Sequence, residues 1–379
     1  MTWNHSRGYT PMVATAQRFC EMKPTVPPIE ITWDKRSLQE FADQPIDKLA
    51  KEYDLLVIDH PWAGFAAASG VLVALDEHLP AEYLADQARN SVGKSHESYQ
   101  WGGHQWALAI DAATPVSAYR ADLMERAGAS IPKTWDEMIA MGRKGLVCCP
   151  SIPLDTFCNF VNLCASAGAV LFPDDDHAVG RSAGRVALEC LRELASVVDT
   201  RFYQNNPIRT LEIMSREDAW AYCPFTYGYS NYARSGHAKH VVRFGGVVEI
   251  VRGYAPATML GGTGLAISAQ CKQIGVAVEY AKYVASPEVQ RGIYVQSGGQ
   301  PGHRAAWLDG AANAASSNYF RDTLPTLDRA ILRPRYNGFL KFQDAAGDPI
   351  WHYLREGGNV DAVLDELDRL YRTHRGGGR

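Results

Sequence analysis

The stretch Gly102-Gly103-His104-Gln105-Trp106-Ala107-Leu108-Ala109-Ile110-Asp111 is followed by Tyr119-Arg120-Ala121-Asp122-Leu123, by Ala127-Gly128 and by Pro132-Lys133-Thr134-Trp135-Asp136-Glu137. Its last four residues are a capping box: the Thr134 hydroxyl accepts from the backbone N–H three residues on, and the Glu137 carboxylate reaches back to the N-cap. A helix is therefore expected to start at Trp135. Upstream, Leu55-Leu56-Val57-Ile58 is an unbroken apolar run closed by Asp59-His60-Pro61, as in a strand of a parallel sheet buried on both faces. Downstream, Leu188, Leu191, Leu194 and Val198 recur at helical spacing, and Ser286-Pro287-Glu288 opens a helix that should run to Gly298-Gly299. Val360, Val363, Leu364, Leu367, Leu370 and Tyr371 share a helical face behind Asn359 as cap. Strands and helices interleave, which makes the fold α/β.

At 379 residues the chain exceeds what one core usually organises, and two lobes are expected. Hydrophobic residues make up 46 % and charged residues 21 %, so the whole chain can fold; only Arg375 to Arg379 reads as a frayed tail. The net charge of −4 comes without a dense Lys/Arg block, which excludes a phosphate backbone as partner. No apolar run is long enough to span a membrane. Met1-Thr2-Trp3 makes a very short first strand, which suggests trimmed upstream residues and export. Eight cysteines among apolar neighbours suit the cytoplasm instead, and both compartments stay open. No metal-type cysteine spacing occurs, and Pro173-Asp174-Asp175-Asp176-His177 lacks the alternation of a calcium loop. No linker separates the lobes, so the chain should cross between them inside strands, near Ala109 to Thr114 and Leu260 to Leu265.

The opening stretch resembles the core signature of family 1 extracellular solute-binding proteins, which serve ABC importers of sugars and oligosaccharides. In that family a "G-x-x-Y/W-x-L-P" strand leads into the hinge, a "YR-x-DL" turn follows, and "P-x-TWDE" begins the next helix. Ala109 stands where the family usually has Pro. Trp3-Asn4-His5-Ser6, Ala67 to Asp76, Gly261 to Ser268 and Gly298-Gly299-Gln300-Pro301 extend the likeness over most of the chain. The resemblance implies a two-lobed periplasmic-binding-protein-like fold of type II with hinge strands. Residues 1–110 plus about 262–315 would form one lobe, and 111–261 plus about 316–379 the other. It also implies a small-molecule ligand in the interlobe cleft, a membrane permease as partner, a monomer in the periplasm, and neither cofactor nor metal nor catalytic residue.

Sugar sites need flat apolar faces for C–H surfaces and polar groups for hydroxyls. Tyr222 to Tyr232 is the richest such segment, and Tyr227 or Tyr229 is expected at the ligand because the family's cleft is lined by the matching segment. Trp3, His5, Ser6 and Arg7 follow the first strand, Arg36 the second and His60 the third, where strand ends open onto a crevice. Core packing competes with ligand contact for Trp3, and helix capping for His60. Asp111 and Thr114 fall at the first crossing, as hydroxyl acceptor or hinge tether. Gly262 and Thr263 bring backbone close to a ligand. Arg304 and Arg335 offer guanidinium forks that would hold an acidic ligand, although surface pairing is their commoner fate.

A cytoplasmic enzyme or sensor on the same fold is the alternative, acting on a small and sometimes acidic molecule. Thiaminase I carries a cysteine nucleophile after the strand that matches Trp106 to Ile110, but here Asp111-Ala112-Ala113-Thr114 follows. Cys149 and Cys223 are the thiols that remain to be placed.

Overall fold

The computed structural model describes residues 1–23 and 28–375; Gly376 to Arg379, most of the expected tail, lie outside the described residues. The chain forms two compact units. The first holds Met1–Ala113 and Gly261–Arg321, the second Thr114–Leu260 and Asp322–Arg379. It passes from one to the other at Ala113/Thr114, Leu260/Gly261 and Arg321/Asp322.

In the first unit β1 (Thr2–Trp3) pairs in parallel with β2 (Lys35–Arg36), and β3 (Leu55–Ile58) joins their edge through Val57 N–H to Met1 O at 3.0 Å. A small hairpin, β4 (Gln100–Trp101) and β5 (His104–Gln105), leads into β6 (Leu108–Ala113). Leu56, Val57 and Ile58 are fully buried, as a strand covered on both faces must be. The main sheet is not parallel, however. The returning strand β10 (Gly261–Ile267) runs antiparallel between β3 and β6. An apolar run reports burial and carries no strand direction. Helices Thr10–Met22 and Ile274–Ala285 supply Met12, Phe19, Tyr280 and Val284 to the core on this sheet.

The second unit is built on β7 (Pro115–Tyr119), flanked by antiparallel β8 (Tyr222–Tyr227) and β9 (Arg243–Gly245). The expected capping box is formed: Glu137 N–H donates to Thr134 Oγ1 and the Glu137 carboxylate accepts from Thr134 N–H, starting the Trp135–Gly142 helix. Asn359 Oδ1 likewise accepts from Asp361 N–H at 2.8 Å ahead of the Val360–Arg375 helix, which buries Leu364, Leu367 and Tyr371. The helix capped by Ser286 departs from expectation in one respect. It breaks at Gly292, whose backbone leaves helical geometry, before reaching the glycines. Gln290 is fully buried there; its Nε2 donates to Val284 O, and its Oε1 accepts from Gly302 N–H at 2.8 Å.

Candidate functional site

In the first unit the strand ends gather a polar group around Asp111. Arg7, on the loop after β1, donates from Nε to Asp111 Oδ2 at 2.8 Å and from Nη2 to Oδ1. The carboxylate is fully buried and the guanidinium nearly so. Burial pushes the Asp111 carboxyl up, and the charge and hydrogen bonds of Arg7 oppose that. Opposite Asp111 on β10 sits Thr263, whose buried hydroxyl has no hydrogen-bond partner. Next to it Gly262 has φ 106°, and a Cβ there would lie 2.4 Å from Asp111 O, so only glycine fits. Gln300 clamps the same strand, its Nε2 donating to Ala112 O at 2.8 Å.

The other candidates of this unit are placed differently. Trp3 belongs to the hydrophobic core, its ring 5.3 Å from that of Phe41. Arg36, its parallel partner, is buried with its guanidinium 5.2 Å from the Phe41 ring, and burial lowers its pKa to about 10. His5 Nδ1 accepts from Arg7 N–H at 3.0 Å, which shapes the loop that also holds Ser6. His60 is fully buried, edge-on to Tyr99; the side chain that caps the turn is Asp59, accepting from His60 N–H. Arg304 starts a short helix capped by His303 and is half-buried. A cavity of about 640 Å³ lies among Met1, Ile31, Leu55 and Val276, at the opposite end of β3 from His60, and no candidate residue lines it.

In the second unit Pro115 opens β7 opposite Tyr227, which closes β8, so Thr114 and Tyr227 share one sheet edge. Both hydroxyls donate to Met259 O, at 3.2 and 3.5 Å, and Thr114 also bonds to the Thr258 hydroxyl at 2.6 Å. Tyr227 is half-buried and Tyr229 buried. Arg335 is half-buried, while its neighbour Arg333 is buried and donates to Gln343 Oε1 at 3.2 Å.

Two residues escaped the sequence reading. Trp62, buried two positions after His60 with its ring 5.5 Å from Phe65, was legible as an aromatic following a strand end. Asp155 was not. Val147 bridges Tyr222 in parallel, so the segment after it heads for the same edge as Tyr227, and Asp155 lies in the first turn of the Pro153–Ser166 helix that starts there. It is buried, its Oδ2 has no hydrogen-bond partner, and burial raises its pKa to about 8.

Neither remaining thiol is poised for attack. Hydrogen bonding to Cys223, then burial, pushes the Cys149 thiol well up, and burial does the same for Cys223. Among the described residues Asp122, Asp218 and His240 have metal-like spacing, but the buried Arg120 guanidinium already binds both carboxylates, at 2.7 and 2.9 Å. No helix of the described residues is long and apolar enough to cross a membrane.

Comparison with known proteins gives this arrangement a setting. The family described as bacterial extracellular solute-binding protein matches residues 31–314. The maltotriose-binding protein of Pyrococcus abyssi is 26 % identical over 112 residues, which span 30 % of this chain and 23 % of that relative's length. Among solved structures, the maltose-bound MalE3 of T. maritima superposes with a TM-score of 0.81 at 17 % identity, covering 96 % of this chain and 95 % of the other. An ABC transporter solute-binding protein of Agrobacterium radiobacter K84 in complex with ribitol gives 0.77 at 19 % identity, covering 96 % and 94 %. The fold is thus that of the maltose-binding-protein-like periplasmic binding proteins.

Proposed function

The chain belongs to the bacterial extracellular solute-binding proteins, and from that premise we propose that it captures a small hydroxylated ligand, a sugar or polyol, for an ABC importer. It is a solute-binding protein and not an enzyme. The match across residues 31–314 carries the reading. The names of the relatives support its sugar and polyol side: one binds maltotriose, and two solved structures hold maltose and ribitol. We further assign it a membrane permease as partner, a monomeric state and a place outside the cytoplasmic membrane.

Ligand contact is assigned to Tyr227 and Tyr229, with Thr114 at the same sheet edge, and to the Arg7–Asp111 pair of the first unit. A tyrosine face covers the C–H surface of a pyranose and keeps water from the polar contacts beside it. Asp111 is fully buried with both oxygens engaged by Arg7, so its part in the pair is to fix the Arg7 guanidinium at the strand end. Capture without chemistry then requires that these contacts stabilise a bound conformation that the importer distinguishes from the empty one.

Calorimetric titration with maltotriose, maltose, ribitol and gluconate tests the reading. Binding of at least one neutral ligand is expected, with Tyr227→Ala or Tyr229→Ala weakening it about 30-fold, the scale of a binding hot spot. Binding of gluconate alone would replace the neutral ligand by an acid. Chemical turnover of any of the four would overturn the solute-binding role.

A further inference from the structure

Three of the eight cysteines come together in the second unit, the adjacent Cys148 and Cys149 and the distant Cys223. The parallel bridge between Val147 and Tyr222, with Cys148 N–H donating to Tyr222 O at 2.9 Å, sets the dipeptide Cys148-Cys149 beside Cys223. Cys149 Sγ and Cys223 Sγ donate to one oxygen, Phe225 O, at 3.9 and 3.5 Å, and both Cys148 and Cys149 lie close enough to Cys223 to shift its thiol. From the far side Asn159 Nδ2 donates to Cys149 Sγ at 3.5 Å, which holds that sulfur in place. Both thiols are buried, and nothing in solute capture calls for them.

We propose that Cys149 and Cys223 are a disulfide-forming pair, closed as the chain folds in an oxidising compartment, which ties the lead-in of the Pro153–Ser166 helix to β8. The idea goes beyond solute capture and draws on that reading only for the export that supplies the oxidant. Both thiols of the dipeptide neighbour Cys223, and Cys149 rather than Cys148 is assigned as the partner because its sulfur shares the Phe225 acceptor with Cys223 and is held by Asn159. The oxidant is a disulfide, carried by a protein or by a small molecule. One cysteine, ionised while the chain is still open, attacks it and expels a thiolate; the second cysteine then attacks the mixed disulfide and expels the other. The pair loses two protons and two electrons, and the oxidant becomes two thiols. Once folded, burial keeps both thiols protonated and shields the bond from reductants, so the oxidation state is set during folding. The bond would fasten β8, and with it Tyr227, to the segment that delivers Asp155.

The test uses the full chain, denatured, reduced, and refolded in mixed oxidised and reduced glutathione. Trapping with iodoacetamide in denaturant should block six of the eight thiols before reduction and all eight after it. Digestion without reduction should yield a peptide pair joining Cys149 to Cys223. Cys148→Ser should leave that pair intact, whereas Cys223→Ser should return seven blocked thiols without reduction. Eight blocked thiols in the refolded wild type, or a linkage through Cys148 instead, would overturn the proposal. The wild-type peptide map decides it even if a variant fails to fold. Solute titration of the same samples is an independent measurement, so failure of the pairing and failure of the solute-binding reading are read separately.

Discussion

Asp111 in the first unit and Asp155 in the second are both carboxyl groups taken out of water, and their surroundings treat them in opposite ways. Asp111 faces a guanidinium that meets both its oxygens. Asp155 has an oxygen with no partner, and burial pushes its pKa to about 8, so it is mostly neutral at pH 7. A buried carboxylate keeps its charge where a fixed cation meets it and surrenders it elsewhere. The first arrangement makes a rigid charged pair at a strand end; the second leaves an unsatisfied polar atom in the fold.

Removing the guanidinium should give the largest effect. Arg7→Ala leaves Asp111 buried and unpaired, and is expected to cost about 4 kcal/mol in denaturant unfolding. A cost under about 1 kcal/mol would mean that water or another donor replaces the guanidinium, and would erase the contrast. Gly262→Ala probes the backbone that hems in Asp111. Its φ of 106° and the 2.4 Å approach to Asp111 O should together cost about 2–3 kcal/mol. A neutral result would show that β10 shifts freely beside Asp111. The remaining effect has the opposite sign and depends on pH. Asp155→Asn should stabilise the chain at pH 8 and by progressively less as pH falls to 5.

The sign follows from the two titrations. An aspartate in the unfolded chain loses its proton near pH 4, and the folded one near pH 8. Between these values the folded state holds the proton more tightly. The contribution of Asp155 to stability is therefore fully present below pH 4 and is lost as pH rises to about 8. Melting curves across that window should fall more steeply for the wild type than for Asp155→Asn. Parallel curves would show that Asp155 finds a partner in solution and is no longer the counterpart of Asp111.

What could be read from the sequence was what acts over three or four residues. The Thr134–Glu137 box and the Asn359 cap are local contests for the same backbone N–H groups, and both form. The apolar run Leu55 to Ile58 announced burial, but side chains alternate identically in parallel and antiparallel strands, so the direction of β10 beside it was invisible. The candidate site was legible as a set of loops and not as partnerships. Arg7 and Asp111 were each singled out, yet their pairing spans 104 positions. Asp155 carried no signal, because an acid in the first turn of a helix is ordinary there; only the tertiary burial that isolates it makes it unusual.

The break at Gly292 leaves the helix opened by Ser286 in two pieces with no continuous hydrogen-bond ladder between them. What bridges the break is a side chain: the fully buried Gln290 donates to Val284 O behind it and accepts from Gly302 and His303 N–H ahead of it. One amide thus fastens the helix that precedes the break to the turn that follows Gly299, so the geometry of that turn depends on a residue twelve positions upstream.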